Sequence, residues 1–175
     1  MKRLCFSMLA VLAATPALAL DLKSTDVAQG ASFPVNEICA RYGGGDVSPA
    51  LSWSGVPAGT QSLAITMFDP DASGDGWWHW VVVDIPAKTT SLPQGAGGGT
   101  LPEGARHLEN SNGNTDYHGP CPPAGSGVHH YEITLWALGE KPALDANAKP
   151  ADVGAYMTKH AIGMSRITPV YLKEK

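Results

Sequence analysis

Turn-forming segments rich in glycine and proline interrupt this chain at short intervals along most of its length. The 175 residues include 20 glycines and 14 prolines, and turn signals recur at 42–46, 54–57, 73–76, 93–99, 112–114 and 120–127. The runs between them are short. They either alternate between apolar and polar residues or are continuously apolar, which is typical of β-strands. The pattern predicts a mainly β domain with long loops and with strands at 62–68, 78–84, 130–138 and 167–172.

One segment near the C-terminus has the periodicity of a helix. Pro150 suits the first helical position, and a glycine such as Gly163 commonly follows the last one. Residues recur at helical spacing at Val153, Met157, His160, Ala161 and Met164. We therefore expect one short helix that begins near Pro150 and is ended by Gly163.

The first 19 residues have the makeup of a secretory signal peptide. Lys2 and Arg3 precede an apolar run, and Ala17 and Ala19 fit a cleavage site of the A-x-A type. An uncleaved anchor is the alternative, but the run is shorter than the roughly 20 residues that span a membrane. We therefore predict a cleaved signal at 1–19 and a single exported domain at 20–175, periplasmic or secreted, without a transmembrane segment.

The charge of the chain argues against nucleic acid as a partner. There are 12 basic and 16 acidic residues, a formal charge of −4. Removal of the signal, which holds two basic residues, leaves 10 − 16 = −6. No block of basic residues is available to neutralise a phosphate backbone.

Two of the three cysteines belong to the predicted mature domain. Cys5 lies in the signal, which leaves Cys39 and Cys121 as an even pair in an oxidising compartment. A disulfide between them is the expected outcome. Two free buried thiols are the alternative, and a zinc site is less favoured because no C-x-x-C spacing is present.

Polar, titratable residues stand at the ends of three predicted strands. They are Asp69 and Asp71 after the first strand, His79 at the start of the second, and His129 and Tyr131 at the start of the third. Alternation along the second strand predicts that His79 shares a face with Val81 and Val83. Burying five such groups without partners would cost several kcal/mol, so they must contact one another or face a cavity.

The combination of residue types indicates recognition of a small anion. Two imidazoles and a hydroxyl can donate hydrogen bonds to phosphate-like oxygens, and a nearby carboxylate favours the protonated imidazole. Anion affinity should then rise as the pH falls through about 6.5, the ordinary pKa of histidine.

Three other interpretations of the same residues stay open. Each histidine alone is more often a core residue with satisfied hydrogen bonds. Asp with two His could form a metal triad, although no H-E-x-x-H or His-x-His spacing supports one. Catalysis is disfavoured because there is no G-x-S-x-G motif and the cysteines are expected to be bridged. We therefore expect neither a metal, nor a cofactor, nor enzymatic activity.

Separated motifs occur at 46–57, 69–72, 77–83, 119–125 and 129–131, over most of the predicted domain. Together, and in this order, they resemble the phosphatidylethanolamine-binding protein (PEBP) family, in particular its bacterial branch, the Raf kinase inhibitor-like proteins. The resemblance implies an antiparallel β-sandwich with an anion pocket at the strand ends, able to hold phosphate, acetate or a phospholipid headgroup. It also implies that the pocket consists of Asp69, Asp71, His79, Pro123, His129 and Tyr131, with Trp77, Pro122 and Gly119 at its wall or rim.

One position departs from the family pattern, since Ser73 follows the Asp-Pro-Asp-Ala motif where proline is usual. A more flexible loop is expected there. Taken together, we expect an exported binding protein for a small anionic ligand, with the disulfide holding the 119–125 loop in place. A protein-interaction module that inhibits a protease or kinase is the alternative, and a hydrolase of phosphorylated or ester substrates ranks third. A homodimer and an unidentified protein partner are compatible with the sequence.

Overall fold

The part of the chain that the computed structural model describes, residues 19–175, forms ten β-strands and one α-helix. In chain order the elements are β1 (Asp21–Ser24), β2 (Leu51–Ser54), β3 (Ser62–Asp69), β4 (Trp77–Pro86), β5 (Ser91–Leu92), β6 (Arg106–His107), β7 (Val128–His130), β8 (Glu132–Leu138), α1 (Pro150–His160), β9 (Ala161–Ile167) and β10 (Val170–Leu172). Short 3₁₀ turns occur at Val35–Glu37, Ala40–Tyr42 and Ala96–Gly98. The mainly β fold with a single short helix agrees with the fold class expected from the sequence.

The strands form three antiparallel sheets. The largest has five strands in the order β6-β4-β3-β8-β9, a second has the order β1-β2-β5, and a third pairs β10 with β7. Pairing between β3 and β8 runs without a break from Ser62 opposite Leu138 to Phe68 opposite Glu132. The long central strands β3, β4 and β8 therefore form a rigid platform, and the functional residues lie where these strands end.

Two apolar cores cover the two faces of the five-stranded sheet. One core packs Ile65, Trp80 and Leu135 against Leu51 and Trp53 of the second sheet. The other core lies under the helix and includes Val81, Val83, Val153 and Met157. Since both faces are buried, β3 and β8 are almost continuously apolar, which is why their sequences alternate only weakly. This is a β-sandwich with one helix added to its outer face.

The helix ends earlier than its periodicity predicts. It stops at His160, and Ala161, Met164 and Gly163 belong to strand β9, which pairs antiparallel with β8. Strand pairing prevails because β9 alternates half-buried and exposed residues along the edge of the sheet. A Cβ at Gly163 would lie 2.8 Å from Pro57, so the glycine permits close approach of the loop between β2 and β3 to strand β9 and does not end the helix.

Two predicted strands are each divided in two. The segment at 130–138 separates into β7 and β8 at Tyr131, whose N–H donates to the Pro169 carbonyl. The segment at 167–172 contains the last residue of β9 and all of β10. The predictions at 62–68 and 78–84 fall within β3 and β4, whereas β1, β2, β5 and β6 were not predicted.

The predicted signal peptide lies outside the described residues except for Ala19, so it stays a prediction, as does the single domain at 20–175. Within residues 19–175, no helix has both the length and the apolar character needed to cross a membrane.

Candidate anion-binding site

A cavity of about 470 Å³ opens where β3, β4 and β7 end. Seven of the residues expected at the site line it, namely Asp69, Asp71, Trp77, His79, Pro122, Pro123 and His129. The structure therefore brings together residues from three strand ends and one loop that are far apart in the sequence.

Two expected site residues do not line this cavity. Tyr131 is fully buried, with its ring 5.2 Å from that of His79 in an edge-to-face arrangement. Its hydroxyl has no hydrogen-bond partner within residues 19–175. Burial raises the pKa of Tyr131 far above its ordinary value, so the hydroxyl stays protonated. Gly119 packs against backbone instead, since a Cβ there would lie 2.3 Å from the Glu37 carbonyl oxygen.

A β-bulge turns His79 toward the cavity. Met67 pairs with Trp80 and the next residue, Phe68, pairs with Trp78, so His79 is the extra residue of β4. Bulges re-aim side chains and are common beside functional sites. The expectation that His79 shares a face with Val81 and Val83 is therefore wrong, because those two valines lie in the core under the helix.

The His79 ring is neutral at ordinary pH. Its Nδ1 lies 2.8 Å from the carbonyl oxygen of His118, and because a carbonyl can only accept, Nδ1 carries the proton. Burial is the main cause that lowers the pKa of His79 to about 3. The proton transition that we expected near 6.5 is thus displaced to lower pH for this histidine. The other ring nitrogen, Nε2, offers a lone pair and has no hydrogen-bond partner within residues 19–175.

The His129 ring is held at both nitrogens. Nδ1 lies 2.7 Å from Oδ2 of Asp69, and Nε2 lies 2.9 Å from Oγ of Ser126. The hydroxyl of Ser126 also lies 2.8 Å from the carbonyl oxygen of Pro123. Because a carboxylate can only accept, Nδ1 donates to Asp69, and both ring nitrogens of His129 have partners within the protein.

Both aspartates of the Asp-Pro-Asp motif are engaged within the protein. Oδ1 of Asp69 accepts from the backbone N–H groups of Asp71 and Ala72, at 2.8 and 3.1 Å. Oδ2 of Asp71 accepts from the backbone and the ring of His130, at 2.8 and 2.7 Å. The ring hydrogen bond from His130 is the main cause that lowers the pKa of Asp71. These carboxylates therefore position histidines and the 69–72 turn.

The predicted disulfide is present and supports one wall of the cavity. Cys39 and Cys121 are bonded with Cα atoms 5.4 Å apart, and Cys121 lines the cavity beside Pro122. The hydroxyl of Tyr42 donates to the Pro122 carbonyl at 2.8 Å. The N–H of Gly119 donates to Asp46 Oδ1 at 2.8 Å. Covalent and polar links thus fasten the 119–125 loop to the 39–46 segment.

Further lining residues were not among those expected from the sequence. They are Arg41, Ala72, Ser73, Asn112, His118, Cys121 and Ser126. Ala72 and Cys121 carried a signal, since they lie in the motifs at 69–72 and 119–125, and Ser73 directly follows the first of these and is exposed. His118 directly precedes the 119–125 motif, and its position there was the available signal. Arg41 and Asn112 have no local signal, because only tertiary contacts bring their loops to the strand ends.

Among residues 19–175, no group of three or more histidines, cysteines and carboxylates is arranged to hold a metal ion. The charged groups that line the cavity are the Arg41 guanidinium and the carboxylates of Asp69 and Asp71, each of which pairs with a histidine.

Comparison with known proteins identifies the family. A family model described as phosphatidylethanolamine-binding protein matches residues 23–172. The UPF0098 protein YbcL of Escherichia coli is 44% identical over 162 residues, which is 89% of this chain and 88% of YbcL. LppC of Mycobacterium tuberculosis, named as a candidate lipoprotein, is 37% identical over 162 residues, which is 91% of this chain and 77% of LppC. The chain belongs to the phosphatidylethanolamine-binding protein family.

A solved structure agrees with this assignment. The crystal structure of E. coli YbcL, reported as a new member of the mammalian PEBP family, matches with a TM-score of 0.85 and 40% sequence identity. The match covers 90% of this chain and all of that structure. The resemblance noted from the sequence motifs is thereby confirmed for the family and for the fold.

Proposed function

We propose that this protein binds a small anion, phosphate or a phosphate-bearing headgroup, in the cavity lined by His79 and His129. The observation that carries the proposal is the pair of buried histidines that line one cavity, where the Asp69 carboxylate is already bonded to the His129 ring. Asp69 also accepts from two backbone N–H groups, so its negative charge is offset within the protein. An anion can therefore lie against the His129 ring without meeting an unpaired carboxylate.

His79 supplies the second interaction. Its Nε2 accepts a hydrogen bond while the ring is neutral, and the ring donates from Nε2 once it takes up a proton. Phosphate suits both states because it carries a proton at neutral pH and can donate it to Nε2. The family name, which refers to a phospholipid with an ethanolamine headgroup, is consistent with a phosphate group as the recognised unit.

Titration calorimetry with inorganic phosphate tests the proposal. His79→Asn keeps an N–H donor for the His118 carbonyl and removes Nε2. We expect it to weaken phosphate binding at least about tenfold with little change in the melting temperature. His160→Asn, at the end of α1 and outside the cavity, is the matched control and should bind as the wild type does. Absence of phosphate binding by the wild type, or equal affinity in His79→Asn, would refute the proposal.

We also propose that the protein is exported. The disulfide is of the kind that persists in oxidising compartments, and the relative LppC is named as a candidate lipoprotein. Fractionation of cells that express the full chain, followed by mass spectrometry of the N-terminus, tests this proposal. We expect periplasmic or secreted protein that begins at Leu20. Full-length protein in the cytoplasm would contradict it.

A further inference from the structure

The cavity is larger than a single phosphate requires. At about 470 Å³ it falls within the range of sites that hold whole small molecules. His79 and His129 are both buried, whereas Arg41 and Trp77 are exposed residues lining the same cavity. A ligand whose phosphate lies at the two histidines therefore has room to extend toward the mouth, where it meets the Arg41 side chain.

The backbone on both sides of Arg41 is firmly held. Cys39 is bonded to Cys121, and the N–H of Ala40 donates to Asp46 Oδ2 at 2.9 Å. On the other side, the backbone N–H of Tyr42 donates to the Cys39 carbonyl at 3.0 Å, and its side-chain hydroxyl donates to the Pro122 carbonyl. Arg41 lies in the middle of the 3₁₀ turn Ala40–Tyr42, so its guanidinium is carried by a rigid support at the cavity wall.

The guanidinium has no anionic partner within residues 19–175, and its Cζ atom lies 5.8 Å from the centroid of the Tyr42 ring. The carboxylates around the cavity are engaged elsewhere. Asp46 accepts from two backbone N–H groups and lies 3.5 Å from the His118 ring, Asp69 pairs with His129, and Asp71 pairs with His130. Arg41 therefore presents five N–H donors to whatever occupies the mouth.

We propose that Arg41 recognises a second anionic group, so that the preferred ligand carries a carboxylate or a second phosphate beyond the phosphate at the histidines. The inference rests on the proposed function, because it needs the first phosphate at the floor. A guanidinium binds a carboxylate through two parallel hydrogen bonds and is more easily desolvated than an ammonium group. Ligands with only one anionic group leave these donors unused.

O-phosphoserine and O-phosphoethanolamine form a matched pair of probes, since they differ only by one carboxylate. We expect calorimetry to show that the wild type binds phosphoserine about tenfold more tightly. Arg41→Gln should abolish this preference, so that it binds the two probes with affinities within about twofold of each other. Arg41→Lys should recover part of the preference, because lysine keeps the charge and loses the paired geometry. Lys88→Gln, which removes an exposed positive charge outside the cavity, is the control and should behave as the wild type does.

The outcomes separate the two proposals. If the wild type binds inorganic phosphate but prefers neither probe, or if Arg41→Gln retains the preference, the role of Arg41 is overturned and the proposed function stands. If the wild type binds no phosphate compound, both are overturned. Glycerophosphoserine, the diester present in a lipid headgroup, identifies the source of the ligand. Binding equal to that of phosphoserine indicates a headgroup, and weaker binding indicates a free phosphomonoester.

Discussion

His129 Nδ1 lies 2.7 Å from Oδ2 of Asp69, although 60 residues separate the two in the chain. The neighbouring histidine, His130, makes the same kind of contact with the second aspartate of the motif, since its Nδ1 lies 2.7 Å from Oδ2 of Asp71. The two pairs differ in burial, since the side chains are 5% and 4% exposed in the first and 53% and 40% exposed in the second. Two adjacent histidines thus bind the two aspartates of one motif. The His129–Asp69 pair is buried at the cavity floor, and the His130–Asp71 pair is exposed.

Asp69→Asn should be much more damaging than Asp71→Asn. The asparagine at 69 keeps an oxygen for the backbone N–H groups of the turn but removes the carboxylate oxygen that accepts from the His129 ring. Losing a buried hydrogen bond to a charged group costs about 2 kcal/mol, whereas an exposed pair contributes at most about 1 kcal/mol. Urea denaturation gives the two stabilities, and phosphate titration should show lost binding only in Asp69→Asn. Equal effects of the two substitutions would contradict the assigned roles.

Phosphate should bind better than sulfate at neutral pH. Neutral His79 offers an acceptor at Nε2, and phosphate has a proton to donate while sulfate has none. The folded-state pKa of about 3 means that His79 must take up a proton before it can donate to sulfate. A bound anion favours the protonated ring, so sulfate affinity should rise as the pH falls from 7 toward 4, and the preference for phosphate should narrow. Competition calorimetry at several pH values measures both affinities, and a preference that is constant with pH would count against this role of His79.

Glu37→Gln should stabilise the protein at alkaline pH. Glu37 is fully buried, and neither carboxylate oxygen has a hydrogen-bond partner within residues 19–175. Burial, followed by the negative charge of Asp26, raises the pKa of Glu37 to about 7. The folded state therefore holds a proton that the unfolded state releases above its ordinary pKa of 4.5, so stability falls as the pH rises from 4.5 to about 7 and does not recover above it.

Denaturation of the wild type and Glu37→Gln at pH 5, 7 and 9 measures this effect. The two proteins should be similar in stability at pH 5, and the variant should be more stable by about 3 kcal/mol at pH 9. Glu103→Gln, at an exposed position, is the control and should follow the wild type. Parallel stability profiles for the wild type and Glu37→Gln would show that Glu37 does not ionise in this range.

Removal of the disulfide should affect both stability and binding. The double variant Cys39→Ser, Cys121→Ser releases a crosslink between residues 82 positions apart. The chain-entropy model gives an upper limit of about 4.5 kcal/mol for the resulting decrease in the free energy of unfolding. Phosphate affinity should also fall, because Cys121 and Pro122 line the cavity and lose their covalent tether. Wild-type protein in reductant is the matched comparison. Unchanged phosphate affinity in the folded double variant would show that other contacts suffice to hold the wall.

Prediction from the sequence succeeded where the signal is local. The strands predicted at 62–68 and 78–84 lie within β3 and β4, because continuous apolar runs between turns are confined to buried strands. Strands β5 and β6 have two residues each, too few for any periodicity. The residue spacing at the start of 161–167 favoured a continued helix, but these residues form a strand because pairing with β8 satisfies their backbone hydrogen-bonding groups.

The candidate site shows the same division. Asp69, Asp71 and His129 were expected because each lies at a strand end, which is visible in the sequence. The direction in which the His79 side chain points was not expected, because it depends on one extra residue in β4 relative to β3. Such a bulge has no consistent local signature in the sequence. Arg41 reaches the cavity only through the disulfide and the hydrogen bonds of its neighbours.

The sequence by itself determined the family, the mainly β class, the cysteine pair and most of the residue types at the site, because motifs and turn chemistry depend on neighbours in the chain. Only the tertiary structure decided which of these groups face the cavity and in which state of protonation. His79 is neutral because it is buried, and both nitrogens of His129 are held by partners, Asp69 and Ser126. Burial and hydrogen-bond partners arise from residues distant in the chain, so the charges at the site are a property of the fold.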